Sequence, residues 1–166
     1  MIAPMLLPWQ QFFSTVAESA ATLTGLIIVA VSVNLQKILA FRHLPARAFG
    51  AIGSLTLMVV LSVLALVPQP VPAYAVELGF CAVFGWFMHL RTARIIFQGH
   101  AELGRPLHER VLMLGFGQAQ LVPLSIGAAL LGFSHPQGLY FVAGTVVAAV
   151  IVAVISAWVL LVEIMR

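Results

Sequence analysis

The sequence predicts an all-α fold, a polytopic transmembrane bundle of five spans with its N-terminus outside and its C-terminus inside. Three observations carry that prediction. Of the 166 residues, 62% are hydrophobic and 8% are charged, whereas soluble domains carry about 25% charged residues. Apolar runs recur at the length, roughly 20 residues, that a helix needs to cross the hydrocarbon. The eight Lys and Arg residues all fall between or beside alternate spans, and basic residues stay cytoplasmic.

The spans are expected at about 11–36, 47–67, 72–93, 110–132 and 139–163, forming one transmembrane domain over 1–166. Prolines and glycines punctuate most of the breaks, where a helix has to stop. The connections are a basic loop (KILAFRHLPAR), a proline-rich turn (PQPVP), a longer basic loop (RIIFQGHAELGRPLHER) and a short turn (SHPQG). None has room for a soluble domain. No sequence repeat relates the halves, so nothing points to an inverted-repeat transporter.

The first span has no basic residue before it, and its apolar run outlasts a typical signal core. It is expected to stay in the mature protein. It also carries the most polar pattern in the chain. Gln11, Thr15, Glu18, Thr22, Gly25, Val29, Ser32 and Gln36 recur at gaps of three and four, which places them on one helix face. Beside them, Ala17, Ala21 and Gly25 form a small-residue row of the kind that lets helices approach closely in lipid. The expectation is an inner face, with span one an interior helix. Glu18 lies about 10 Å from Gly25 at about 1.5 Å per residue. If Gly25 is near the midplane, Glu18 is inside the hydrocarbon, where charge costs at least about 2.5 kcal/mol. Glu18 must then be protonated, paired or facing water.

Span two offers Gly50 and Ser54 as a short packing row. Span three opens with Glu77 at a depth comparable to Glu18, so that two carboxylates at one level would share a proton or a cation. The alternative for Glu77 is an interfacial residue reaching headgroups. Span four carries Gln118, Gln120 and Pro123. The proline frees the carbonyl of Ala119 and predicts a kink, and either glutamine is a candidate partner for Glu18. Span five shows Thr145, Ala149, Ala153 and Ala157, a ladder expected to pack against span one or against another copy of the chain. Trp9, Tyr74 and Tyr140 fall at the outer interface and Trp158 toward the inner one, as in an aromatic belt. Trp86, nearer mid-span, reads as a packing residue.

Several functions are disfavoured. The single cysteine, Cys81, allows no internal disulfide and no cysteine metal cluster. His89 alone is insufficient for haem, and His100, Glu102, His108 and Glu109 match no closed zinc pattern. No metal or cofactor is expected. Nucleophile elbows, phosphate loops and dinucleotide fingerprints are absent, so enzymatic activity is not expected. A basic face for nucleic acid is absent as well. The segment ARIIFQGHAEL reads as lying along the inner membrane surface.

The stretch ESAATLTGLIIVAVSVNLQKIL, Glu18 to Leu39, followed by a basic loop, resembles small bacterial integral membrane proteins that at times carry a label as modulators of the FtsH protease. WFMHLRTAR, Trp86 to Arg94, resembles the same pattern. The resemblance implies a bacterial inner-membrane location and a regulatory partner. Separately, TGLIIVAVSV, Thr24 to Val33, is similar to the pore helix of Orai calcium channels. Two functions follow as expectations. One is a non-enzymatic structural or regulatory membrane protein that binds another membrane protein or a second copy. The other is a subunit of a homo-oligomeric ion channel or proton-linked transporter, with span one lining the path and Glu18, Thr22, Gln118 and Glu77 as its site.

Overall fold

The computed structural model describes residues 5–40, 44–102 and 120–165. Every regular element among them is helical. A 3-10 turn, Leu7–Trp9, leads into α1 (Gln10–Val33); α2 (Leu35–Leu39) is a single short turn. Then come α3 (Leu44–Leu66), α4 (Val71–Glu102), α5 (Leu121–Gly132) and α6 (Gly138–Met165). In hydrocarbon a helix is one of the few ways to satisfy every backbone polar group. Four of these helices, α1 with its leading turn, α3, most of α4 and most of α6, are long and apolar enough to cross a membrane. The chain therefore has the make-up of a membrane protein.

Local chemistry sets the ends. Asn34 closes α1 by donating its Nδ2 to the carbonyl of Ala30 at 3.0 Å. Pro45 and Pro72 occupy second positions of α3 and α4, where no intrahelical N–H is needed. Ser134 takes a positive φ of 61° in the turn between α5 and α6. α4 continues to Glu102, so the expected long basic loop begins as helix. Of the span expected at 110–132, only residues 120–132 are described, with Leu121–Gly132 helical. Gln120 stands at its N-terminal cap and Pro123 in its first turn, while Ala119 lies outside the described residues.

α3 is the hub, packing against α1, α4 and α6, while α5 bridges α4 and α6. Helices α3 to α6 thus form a four-helix body. Its core is Leu55, Met58 and Leu61 of α3, Tyr74 and Leu78 of α4, Leu121 and Leu124 of α5, and Val142, Val146 and Ala149 of α6. α5 and α6 approach so closely that a Cβ on Gly127 would lie 3.0 Å from the carbonyl oxygen of Gly138. A Cβ on Gly138 would lie 2.8 Å from that of Gly127. These two glycines let the α5–α6 hairpin close.

α1 stands outside this body. In its most apolar window only 6% of residues are buried, against 39% for α6. It docks on α3 through a spine of Phe13, Ala20 and Ile27, one buried residue every two turns. Its N-terminal end is clasped to α6 by an edge-to-face contact of Trp9 with Tyr140, ring centroids 5.1 Å apart. Phe12 and Phe13 extend the cluster around Trp9. The expectation that span one is an interior helix is overturned within the subunit. Phe13, Ala20 and Ile27 supply apolar contact on one side only, and nothing in the described chain covers the other.

Candidate functional site

At 3.6 residues per turn, the polar seam of α1 lies on the side opposite the Phe13–Ala20–Ile27 spine. Gln11, Thr15, Glu18, Thr22, Gly25, Val29, Ser32 and Gln36 are all exposed on the surface of the subunit. Their common face, read from spacing, is present; its direction is outward.

The hydroxyls of this face turn their hydrogens back onto their own helix. Thr15 Oγ1 donates to the carbonyl of Gln11 at 2.9 Å, Thr22 Oγ1 to that of Glu18 at 2.8 Å, and Ser32 Oγ to that of Ile28 at 2.8 Å. Ser14 Oγ donates to Glu18 Oε1 at 3.2 Å. Each donor is spent within the helix, while hydroxyl lone pairs and the carboxylate remain available outward. The middle of the seam is a row of acceptors. No Lys or Arg precedes Lys37 in the sequence to offset it.

The other expected site residues lie elsewhere. Glu77 accepts from Gln69 Nε2 at 2.7 Å, and the same nitrogen reaches the carbonyl of Leu64 at 2.9 Å. Gln69, in the proline-rich turn, therefore ties Glu77 of α4 to the end of α3. Glu18 accepts from Ser14 on its own helix, and among the described residues α1 does not pack on α4, so the two carboxylates do not form a pair within the subunit. Gln118 lies outside the described residues. Gln120 is buried and donates to Ser54 Oγ at 2.9 Å, joining α5 to α3 rather than meeting Glu18. Its Oε1 and the Oγ of Ser62 are buried without a hydrogen-bond partner among the described residues.

The two small-residue rows part company. Thr145, Ala149 and Ala153 are buried and Ala157 is half-buried, and α6 packs chiefly on α5 and α3. The ladder is thus an internal packing face, and its last two members, Ala153 and Ala157, border the gap between α6 and α1. On α1, Ala17 is half-buried while Ala21 and Gly25 are exposed, and a Cβ on Gly25 would meet nothing within 4 Å. Trp86 packs as expected and donates Nε1 to Ser125 Oγ at 3.1 Å. Tyr74 departs from the expected aromatic belt. It is fully buried, with its hydroxyl 3.4 Å from the carbonyl of Leu61. Tyr140 and Trp158 are exposed, as a belt requires.

Sequence reasoning missed the Gln69–Glu77 clamp, because a turn glutamine gives no periodic signal. It also missed the heptad spacing of Phe13, Ala20 and Ile27, which was present but overshadowed by the polar seam. No known family, curated protein or solved structure matches this chain.

Proposed function

We propose that this chain is the subunit of a homo-oligomeric membrane assembly, with the α1 seam facing the axis and lining a path for cations or protons. The observation that carries the reading is the outward direction of the whole seam. An uncovered carboxylate against hydrocarbon costs at least about 2.5 kcal/mol, and the described residues leave it uncovered. Copies arranged around an axis remove that cost by giving every seam either water or another seam. One bundle of this size has little interior to enclose a path, so the path needs several copies. The outward row of acceptors, with no Lys or Arg in the sequence between Gln11 and Gln36, favours positive ions. Glu18 and Thr22 are its central groups.

The orientation that suits this reading puts the ends bearing Lys37, Arg91 and Arg94 in the cytoplasm. The family resemblance suggests a bacterial inner membrane. A second reading, a purely structural or regulatory role, is favoured by Ala21 and Gly25. Their open, small surface suits tight helix contact between copies, with no wet path left between them.

Native mass spectrometry from nanodiscs and ion flux in proteoliposomes test these readings together. The expected result is an oligomer that passes cations or protons, with Glu18→Gln lowering flux at least tenfold and leaving the oligomer intact. An oligomer silent under every cation and proton gradient leaves the structural reading in place and removes the path. A monomer removes both.

A further inference from the structure

Serines and threonines inside an apolar helix commonly return their hydrogen to the carbonyl one turn back. Thr15, Thr22, Thr24 and Ser32 of α1 all do so, at 2.7–2.9 Å. Ser14 does not. Its Oγ reaches forward to Glu18 Oε1 at 3.2 Å, and among the described residues it is the one hydroxyl of α1 whose hydrogen goes to a side chain. A carboxylate accepts more strongly than a helix carbonyl that already receives an amide hydrogen. The bond also has a fixed base. Ser14 is half-buried and follows Phe13, which is fully buried and packs against Trp9 and Phe12. Trp9 in turn is clasped to Tyr140 of α6. Glu18, one turn further on, is exposed, and a free glutamate spreads over many rotamers.

We propose that Ser14 is a positioning residue for the cation path, holding the Glu18 carboxylate in one place on the seam. Oε1 is bound to Ser14, and Oε2 is left to meet a passing cation. At about 100° per residue, Ser14 lies toward the Ala17–Ala21–Gly25 side of Glu18, whereas Thr15 and Thr22 lie on the other. The bond therefore draws the carboxylate to one edge of the seam. The hydroxyl oxygens of Thr15 and Thr22, with their hydrogens turned inward, stay clear at the other edge. A cation travelling between them meets acceptors from both sides, and the carboxylate is ordered before the ion arrives. Ser14 thus carries the rigidity of the aromatic clasp to the one charged group of the seam. This role rests on the seam being a path, and adds that affinity for the ion depends on Ser14.

The test uses the full chain in proteoliposomes and reads potassium, sodium and proton flux against concentration. Ser14→Ala is expected to raise the half-saturating concentration of the permeating ion about fivefold while maximal flux stays within about twofold. Native mass spectrometry should show the oligomer intact. Alanine is the better helix former, so the variant should fold as well as the wild type. A residue that acts through Glu18 is not additive with it. In a Glu18→Ala background, Ser14→Ala should accordingly leave the remaining flux unchanged. A half-saturating concentration that does not move in Ser14→Ala overturns the proposal, while wild-type flux keeps the path. So does an effect of Ser14→Ala that persists at full size in the Glu18→Ala background. A wild type that passes no ion removes the path and this role with it.

Discussion

Helices α1 and α6 carry the same kind of signal and use it in opposite ways. Each has small residues every four positions, Ala17–Ala21–Gly25 on one and Thr145–Ala149–Ala153 on the other. On α6 the row is buried within the subunit; on α1 its last two members, Ala21 and Gly25, are open. The difference follows from the rest of each helix. α6 has apolar residues flanking its row on both sides, with Val142 and Val146 in the core, so the row and its flanks bury together. α1 has its apolar spine across the helix from its polar seam, and one neighbour can cover only one of them. A small-residue row therefore predicts close packing, while its surroundings decide whether the partner is the same chain or another.

The largest test of the contrast is a side chain where backbones already touch. Gly138→Ala would set a Cβ 2.7 Å from Leu131 Cγ and 2.8 Å from the carbonyl oxygen of Gly127. It should destabilise the fold by about 2–3 kcal/mol, read as a lower midpoint in denaturant titration of the detergent-solubilised protein. Gly25→Leu is its counterpart. It should leave that midpoint nearly unchanged and shift the mass distribution from oligomer toward monomer; an equal loss of subunit stability would place Gly25 in a covered site.

Smaller effects probe how α1 is held. Trp9→Ala removes the ring contacts to Phe12, Phe13 and Tyr140 together with the buried part of the indole, and should cost about 2 kcal/mol. Its specific signature is faster hydrogen exchange in α1 with α5 and α6 unaffected. The smallest expected change is Ser62→Ala. It removes a buried hydroxyl that has no hydrogen-bond partner among the described residues and should be neutral or stabilise by up to about 1 kcal/mol. A clear loss of stability there would mean that the hydroxyl has a partner after all.

The helices themselves were legible, because span length and apolar runs are local properties. α1 was expected at 11–36 and occupies Gln10–Val33; the last helix was expected at 139–163 and occupies Gly138–Met165. The existence of the seam was legible for the same reason, since three- and four-residue spacing fixes a face. Its direction was not. Placing the polar face inward is sound for a complete membrane assembly, whereas one chain need not be complete. Tyr74 shows the converse limit. A tyrosine near a span end suits an interface, yet its partner, the carbonyl of Leu61, lies on the preceding helix and only the fold brings it near. The hydrogen bond of Gln120 to Ser54 crosses 66 positions of sequence, and no local pattern marks it.

The central place of α3 has a consequence for biosynthesis. Chains emerge N-terminus first, so α1 and α3 meet early, as neighbours along the chain. α4 joins soon after through the Gln69–Glu77 clamp. The remaining flank of α3 is reserved for α6, which is made last, and stays uncovered until then. Pulse-labelled chains truncated before Gly138 should accordingly be far more sensitive to membrane quality-control proteases than the full-length protein.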